Sequence, residues 1–256
     1  MSKIICIANQ KGGVGKTTTA INLAATLAAA EKDTLLVDCD AQGNATSGIG
    51  IDRSKIKEKN LYHSLMGEAT LDEVICKSQV PHLDVVPGTQ DLVGIEVEFV
   101  QLENREKRLL NLLQGLERSY EFIIMDCPPS LGFLTVNALV AADFLIVPLQ
   151  CEYFAMEGLG HLMNTVKLVR SRLNPGLRIG GILLTMFDTR NLLSHQVSED
   201  VRNHFGSTVF KTVIPRNVRL SESPSHGLPI ILYDIKSRGA VAYMELAREI
   251  LKNGRL

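Results

Sequence analysis

The sequence predicts an α/β fold, built as a mostly parallel, twisted sheet with helices on both faces. Short runs rich in Ile and Val alternate with longer segments of helical period, a pattern typical of consecutive βαβ units. A glycine-rich turn at positions 11–18 follows the first run and precedes a helical segment. The 256 residues are 45% hydrophobic and contain no Pro-rich, Gly/Ser-rich or repeated linker, so we expect residues 1–256 to form a single domain.

The order of the elements follows from these periods. Strands are predicted at 3–8, 34–37, 83–86, 122–125, 144–147 and 179–184, with a short one near 212–214. Helices are predicted at 17–30, 105–116, 131–141, 159–173, 192–205 and 240–252, and positions 50–80 are expected to hold only a short helical excursion. In the last helix we expect Val241, Met244 and Ile250 to be buried and Glu249 to remain in solvent.

Charge is distributed unevenly along the chain. The formal net charge is −1, but positions 190–256 hold 10 Lys and Arg against 6 Asp and Glu, a net +4. Positions 1–189 hold 17 against 22, a net −5. A polyanionic partner is therefore compatible with the sequence, because a local excess of positive charge can be hidden in a nearly neutral total.

Cysteines and apolar segments indicate a cytoplasmic protein. The five cysteines are an odd number and form no Cys-x-x-Cys pair, which favours reduced thiols over a zinc or redox site. The first apolar run is too short for a signal peptide. The most apolar later stretch, 138–149, contains Asp143 and Pro148 and is too short to cross a membrane. We expect no integral membrane segment.

The turn at 11–18 reads Lys-Gly-Gly-Val-Gly-Lys-Thr-Thr and predicts a phosphate site. Glycines allow backbone N–H groups to curl around phosphate oxygens, and the start of the following helix adds partial positive charge. We expect Lys16 to bridge the β- and γ-phosphates and the Thr17 hydroxyl to ligate Mg²⁺. The predicted phosphate-binding residues are Lys11, Gly12, Gly13, Val14, Gly15, Lys16, Thr17 and Thr18.

Acidic residues stand where two predicted strands end. Asp38 and Asp40 close the second strand, at the edge where parallel sheets bind ligands. Asp126 follows the buried run at 122–125, which fits a carboxylate that holds magnesium through water. Capping of a turn is the alternative explanation for the first pair.

The motif Lys-Gly-Gly-x-Gly-Lys-Thr-Thr resembles the deviant Walker A box of the ParA/MinD group of P-loop NTPases, with Gln10 at the first Gly position of the ordinary box. The resemblance implies that Lys11 reaches the phosphates of the nucleotide held by a partner subunit. Such a cation would act as an arginine finger does. The resemblance therefore implies an ATP-dependent homodimer.

Two further segments resemble the switches of that group. The run 38–44, Asp-Cys-Asp-Ala-Gln-Gly-Asn, is similar to its switch I, with Ala41 in place of the usual Pro. This implies that Asp40 orients the attacking water and that Asp38 lies near the magnesium shell. The run 126–130, Asp-Cys-Pro-Pro-Ser, resembles switch II. The implied catalytic residues are Lys11, Lys16 and Asp40, and the implied metal residues are Thr17, Asp38 and Asp126.

The preference for adenine over guanine is predicted from the absence of a guanine-recognition motif. The Asn-Lys-x-Asp box that reads guanine is absent from the chain, and the corresponding place reads Thr-Met-Phe-Asp at 185–188. ATP is therefore preferred to GTP. The run 214–217 resembles the adenine-side loop of the group, which implies that Pro215 and Asn217 line the base. Positions 213–227 and 233–240 closely resemble the chromosomal ParA (Soj) branch.

That resemblance implies non-specific binding of double-stranded DNA, a nucleoid-associated location in the cytoplasm, and a ParB/Spo0J-type centromere-binding partner that accelerates hydrolysis. Contacts to phosphates alone would give steep salt dependence without base readout. Taken singly, each basic side chain is equally well explained as a solvated charge. The implied DNA-binding residues are Arg190, Arg219, Lys236, Arg238 and Lys252.

Three alternatives were weighed against an ATP-controlled DNA switch. A MinD-like membrane-associated ATPase needs an amphipathic C-terminal tail, and the final residues 253–256 read Asn-Gly-Arg-Leu. An electron-transfer protein like the nitrogenase iron protein needs paired cysteines on a cluster, and Cys127 and Cys151 do not stand in those ligand contexts. Measurable ATP turnover would exclude a non-enzymatic DNA scaffold.

Overall fold

The computed structural model describes residues 2–252, whose strands form one seven-stranded sheet in the order β3-β4-β2-β5-β1-β6-β7. Every pairing is parallel except that of β3 with β4. The strands are β1 (Lys3–Ile7), β2 (Thr34–Asp38), β3 (Cys76–Lys77), β4 (Leu83–Val86), β5 (Phe122–Asp126), β6 (Phe144–Gln150) and β7 (Arg178–Thr185).

Helices connect the strands and cover both faces of the sheet. They are α1 (Lys16–Ala29), α2 (Asn44–Gly48), α3 (Leu61–Met66), α4 (Leu71–Val74), α5 (Ile95–Glu98), α6 (Arg108–Gln114), α7 (Phe133–Ala141), α8 (Ala155–Arg172), α9 (Leu192–Phe205), α10 (Val218–Glu222), α11 (Ile230–Tyr233) and α12 (Arg238–Lys252). One core lies under α1 and α12, and a second lies on the opposite face under α7 and α8.

The predicted fold class is confirmed, and the parallel register explains where its polar groups collect. Strand β1 lies between β5 and β6, and β5 pairs with β2 so that Asp38 and Asp126 are register partners. Ile7, the last residue of β1, pairs with Asp126 in the same way. The carboxyl ends of β1, β2 and β5 therefore meet, and the loop at 8–15 begins there.

The predicted strand near 212–214 is wrong. Val209 and Pro215 make only isolated bridges, to Ile182 and Phe187, and the segment between them turns toward α12. The short antiparallel strand β3 was not predicted, because two residues carry no periodicity. Positions 50–80 hold α3 and α4 in addition to a 3₁₀ turn at Arg53–Lys55.

Two expectations for the last helix are also wrong. Val241 is 42% exposed, whereas Glu249 is only 9% exposed. The Glu249 carboxylate accepts hydrogen bonds from the backbone N–H groups of Lys211 and Thr212, both at 3.0 Å, and from the Thr212 hydroxyl at 2.8 Å. The carboxylate replaces the strand pairing that the segment at 211–212 would otherwise need.

No helix within residues 2–252 is both long enough and apolar enough to cross a bilayer. The tail at 253–256, on which the argument against a membrane-binding C-terminus depended, lies outside the described residues.

Substituting Glu249→Gln should lower the free energy of unfolding by about 1–3 kcal/mol, because an amide presents one acceptor oxygen to three donors. Urea unfolding followed by circular dichroism measures the change. The matched control is Glu245→Gln, an exposed residue on the same helix, which should stay within roughly 0.5 kcal/mol of the parent. Equal effects of the two substitutions would contradict a structural role for Glu249.

Candidate functional site

The loop after β1 is pinned at its start and shaped by glycines. The buried Asn9 side chain donates to the Pro148 carbonyl at 2.7 Å and accepts from the Lys11 N–H at 3.0 Å. Gly13 and Gly15 have φ of +72° and +84°, in the left-handed region that favours glycine. Gly15 directly precedes α1, so the free N–H groups of that helix start are available to an anion beside the loop.

A cleft of about 790 Å³ opens beside this loop, within the range of roughly 300–1,000 Å³ typical of small-molecule sites. It joins predicted residues from three separate parts of the sequence. Val14, Asp38 and Asp126 are buried and do not line it. The predicted residues in its lining are Gly12, Gly13, Gly15, Lys16, Thr17, Thr18, Asp40, Pro215 and Asn217.

The adenine-side loop is held against the end of β7. Phe187 donates its N–H to the Ile214 carbonyl at 3.1 Å and accepts from the Arg216 N–H at 3.0 Å. The Asn217 side chain accepts from the Leu220 N–H at 3.2 Å and so caps α10. The loop at 214–217 is therefore a fixed wall of the cleft.

The cleft is also lined by residues that the sequence analysis did not assign to a nucleotide site. The Thr185 hydroxyl donates to the Val14 carbonyl at 2.9 Å, and the Tyr243 hydroxyl lies 3.2 Å from that of Thr19. Met186 has φ of +48°, a conformation that side chains larger than glycine seldom adopt. Tyr243 stands in no motif, and the sequence marks Thr185 and Met186 only as the place where a guanine box is absent. The additional lining residues are Gln42, Asn44, Pro129, Thr185, Met186, Ile214, Arg216, Val218, Leu220, Ser221, Pro224 and Tyr243.

Three carboxylates, those of Asp38, Asp40 and Asp126, lie beneath the loop and differ in how many hydrogen bonds they accept. Asp38 accepts from the N–H and hydroxyl of Thr46, both at 2.7 Å, and from the Asp40 N–H at 3.2 Å. Burial raises the pKa of Asp38 to about 6, and the hydrogen bonds from Thr46 act against the rise. Asp40 accepts from the Gln42 N–H at 3.0 Å and is 8% exposed.

The Asp126 carboxylate differs from the other two because it accepts no hydrogen bond of standard geometry from the described residues. Neither of its oxygens has a hydrogen-bond partner of standard geometry within residues 2–252, and the residue is fully buried. Burial first and the charge of Asp38 second raise its pKa well above the usual range, while the nearby Thr17 hydroxyl and Lys16 act to lower it. A buried carboxylate without donors is unfavourable, so this position suits a cation.

Two lysines of the loop have different surroundings. Lys16 is 7% exposed, and its Nζ donates to the Lys11 carbonyl at 3.1 Å. Burial lowers the pKa of Lys16, whereas Asp126 and Asp40 act to raise it. The Lys11 side chain instead forms an ion pair with Glu152 of the same chain. Lys16 therefore faces the cleft, and Lys11 is held outside it.

The donor set fits Mg²⁺. Across residues 2–252 no three His, Cys, Asp or Glu side chains converge as a preformed metal cluster. Mg²⁺ keeps several waters and takes one or two protein ligands beside substrate phosphates. Thr17 and Asp126 could supply those ligands, and Asp38, whose oxygens already accept three hydrogen bonds, could position the neighbouring loop.

The structure brings together only some of the predicted DNA-binding residues. Lys236 and Arg238 line a groove of about 450 Å³ that also contains Pro215, Phe187 and Thr189. Arg190 follows Thr189 and is 88% exposed in an ion pair with Asp188.

The two remaining residues lie less favourably. Arg219 is paired with Glu222 and Asp234. Lys252 is at the other end of α12 from Arg238, about 21 Å away along the helix axis. The groove, together with Arg190, is therefore the more compact cationic surface.

Comparisons with known proteins agree on the fold and on the kind of site. A family model described as an AAA domain matches residues 2–179. The chain is 56% identical over 252 residues to the chromosome partitioning protein ParA of Myxococcus xanthus, covering 98% of this chain and 89% of that protein. It is 55% identical over 254 residues to the sporulation initiation inhibitor protein Soj of Bacillus subtilis, covering 99% and 100%.

Solved structures extend the likeness. Cobyrinic acid a,c-diamide synthase from Mycobacterium smegmatis, with bound ADP and magnesium, is 35% identical with a TM-score of 0.86, over 99% of this chain and 97% of that one. The septum site-determining protein MinD of Pyrococcus horikoshii, complexed with Mg-ADP, is 25% identical with a TM-score of 0.79, over 100% and 99%.

Substituting Asp126→Asn should raise the free energy of unfolding at neutral pH, measured in urea with EDTA and no nucleotide, by on the order of 1 kcal/mol. The reason is that a neutral amide removes the cost of burying a charge at this position and also relieves the repulsion with Asp38. Because the folded-state pKa of Asp126 is raised, the parent loses stability above the usual aspartate pKa of 3.8. The gain of the variant should therefore shrink as the pH falls toward that value.

Asp38→Asn is the matched control for this substitution. It relieves the same repulsion, but its amide presents one acceptor oxygen to the three donors that the Asp38 carboxylate serves, so it should be less stable than Asp126→Asn. A loss of stability in Asp126→Asn as large as that in Asp38→Asn would contradict the unpaired state of Asp126.

Proposed function

Because this chain belongs to the ParA/Soj family of chromosome-partitioning proteins, we propose that it is an ATP-dependent switch that binds DNA as a dimer and releases it after hydrolysis. The observation that carries the proposal is the cleft, which joins the phosphate loop, Asp40 and the loop at 214–217, with the buried carboxylate of Asp126 beneath the phosphate loop. The diamide synthase is a more distant likeness at 35% identity, so the partitioning relatives decide the biological role.

Nucleotide binding is assigned to the loop and the start of α1. The backbone N–H groups of 12–18 surround the phosphates, and the Lys16 ammonium lies between the β- and γ-phosphates. Thr17 and Asp126 would hold a magnesium ion, which would neutralise charge on the phosphate oxygens. Pro215 and Asn217 form the adenine side of the cleft, and the absence of a guanine box favours ATP.

Asp40 is assigned to the attacking water. It lines the cleft, and its backbone N–H and one oxygen are held by local hydrogen bonds, so the carboxylate is positioned before substrate arrives. Intrinsic turnover is slow in this assignment, because the transition-state cation, Lys11, is engaged with Glu152 in the single chain.

Dimerisation is assigned to the surface beside Lys11. Glu152 is followed by Tyr153 and Phe154, which are 78% and 63% exposed. Exposed aromatic residues next to a ligand site are typical of an interface. In the dimer, Lys11 exchanges Glu152 for the phosphates held by the partner subunit, which completes two sites at once.

DNA binding is assigned to the groove with Lys236 and Arg238 and to Arg190. These residues contact phosphates without reading bases, which places the protein on the nucleoid in the cytoplasm. The partner that accelerates hydrolysis is a ParB-type protein, as the resemblance to the ParA/Soj family implies.

A membrane-associated ATPase is the second candidate, favoured by the likeness to MinD at 25% identity. Sedimentation with ATP separates the two, because the DNA switch pellets with DNA and not with anionic lipid vesicles.

Substituting Asp40→Ala should lower ATP turnover by about 100-fold or more while ATP binding persists, because proton transfer and water positioning are lost. The variant should then remain dimeric on DNA in the presence of ATP and Mg²⁺. Turnover is measured by phosphate release and retention by DNA co-sedimentation. Lys16→Ala is the companion variant, and it should bind ATP too weakly to pellet with DNA. Turnover of Asp40→Ala at the parental rate would overturn the role of Asp40.

Substituting Lys236→Ala and Arg238→Ala together should weaken ATP-dependent DNA binding and reduce the slope of log K against log salt by about 1.8, since each phosphate contact contributes roughly 0.9. Fluorescence anisotropy across a salt series measures both quantities.

Lys167→Ala, an exposed lysine on α8, is the control for this pair and should leave the slope unchanged. Lys252→Ala should have a smaller effect than the pair, because of its distance from the groove. An unchanged slope in the double variant would exclude the groove as the DNA surface.

A further inference from the structure

An apolar stripe lies on the surface of the helical segment at 90–101, outside the cleft and the groove. Val93, Val97 and Val100 are 60%, 74% and 55% exposed. Val93 and Val100 lie in 3₁₀ turns that flank α5, which contains Val97, and all three side chains are exposed. The opposite face of the segment carries Leu92, Ile95 and Phe99, which are fully buried. Because the buried face already anchors the segment, burial of the outer valines is not needed for folding.

The stripe has a strongly acidic border. Between Lys77 and Arg105 the sequence contains no Lys or Arg. Asp91, Glu96 and Glu103 are exposed around the stripe. Two arginines lie at one end of the segment: Arg105 donates to the Val100 carbonyl at 2.6 Å and pairs with Glu106, and the Arg108 guanidinium lies over the Phe99 ring. The surface therefore combines apolar area with exposed carboxylates at Asp91, Glu96 and Glu103.

The segment also contacts the loop that follows Asp126. Glu96 accepts a hydrogen bond at 2.9 Å from the N–H of Phe133, the first residue of α7. The Glu96 carboxyl group also packs so closely on Gly132 that a Cβ at this glycine would lie within 2.8 Å of its carbon and both oxygens. An occupant of the stripe would consequently lie next to the segment at 126–133.

We infer that this surface, defined by Val93, Val97 and Val100 with its acidic border, is the docking site for a basic amphipathic helix of a partner protein. An apolar face with leucine-like side chains would cover the valines, and flanking lysines or arginines would pair with the carboxylates. The charge complementarity selects this partner over an acidic or neutral one.

A second copy of the chain is the less suitable occupant. A two-fold contact brings the same patch of both copies together, and here it would oppose carboxylates to carboxylates. The stripe follows β4 and the basic groove follows β7, and these strands lie near opposite edges of the sheet. The groove of another copy could therefore reach the stripe only in a head-to-tail contact.

The test uses a synthetic peptide of about 18 residues, long enough to form a helix, with leucines on one face and lysines on the other. A second peptide has glutamates in place of the lysines. Fluorescence anisotropy with the full chain, without nucleotide, should show binding of the lysine peptide only. Added salt should weaken that binding.

Substituting Val93→Ser, Val97→Ser and Val100→Ser together should weaken binding of the lysine peptide by about tenfold or more, because the apolar contact is lost. Glu103→Lys should weaken it as well. Leu168→Ser is the control, since Leu168 is 58% exposed on α8 and distant in sequence from the stripe. Urea unfolding of each variant, expected to match the parent, separates lost binding from lost folding.

Two results would overturn the inference. One is equal binding of the lysine peptide to the parent and to the triple variant. The other is a change of oligomeric state in the triple variant, measured by light scattering, with peptide binding retained, which would assign the stripe to a second copy. Neither result depends on ATP hydrolysis, so failure here and failure of the proposed switch are distinguishable.

Discussion

The site depends on an excess of negative charge buried at the carboxyl edge of the sheet. The register of β2 with β5 places Asp38 beside Asp126, and both are fully buried. Hydrogen bonds from Thr46 satisfy the first carboxylate, and in the part of the chain that the structure describes no donor of standard geometry satisfies the second. Lys16 is the only one of the two loop lysines that faces this charge. A divalent cation is the ligand that balances such an arrangement, since it supplies positive charge without needing further protein donors.

The sequence predicted what local patterns control. Helix α9 begins and ends where the apolar period and the flanking residues indicate, and the phosphate loop follows from the spacing of its glycines. The burial of Glu249 could not be predicted, because its donors stand 37 and 38 positions away in the sequence. For the same reason the strand predicted near 212–214 is wrong. Its partner is a carboxylate on α12, and strand propensity carries no information about such a partner.

The cleft was predicted in part. Its phosphate end comes from one contiguous motif, whereas its opposite wall is assembled from β7, α10 and α12. Pro215 and Asn217 were identified through a family resemblance. Thr185 and Tyr243 carry no such motif and were missed. Their positions depend on contacts with Val14 and Thr19, which exist only after the sheet and α12 have packed around the loop. Met186 was missed because a positive φ at a residue other than glycine is imposed by tertiary structure.

Pro215 belongs to the lining of both the cleft and the groove, and its backbone pairs with Phe187. One short segment therefore separates the proposed nucleotide from the proposed DNA surface. A nucleotide bound against the loop at 214–217 would therefore contact the same segment that forms one wall of the groove, and hydrogen bonds join this segment to Phe187. Coupling through a shared element is reciprocal. If ATP raises the affinity for DNA by a given factor, DNA must raise the affinity for ATP by the same factor. In the proposed switch, loss of bound ATP would then lower the affinity for DNA by that same factor.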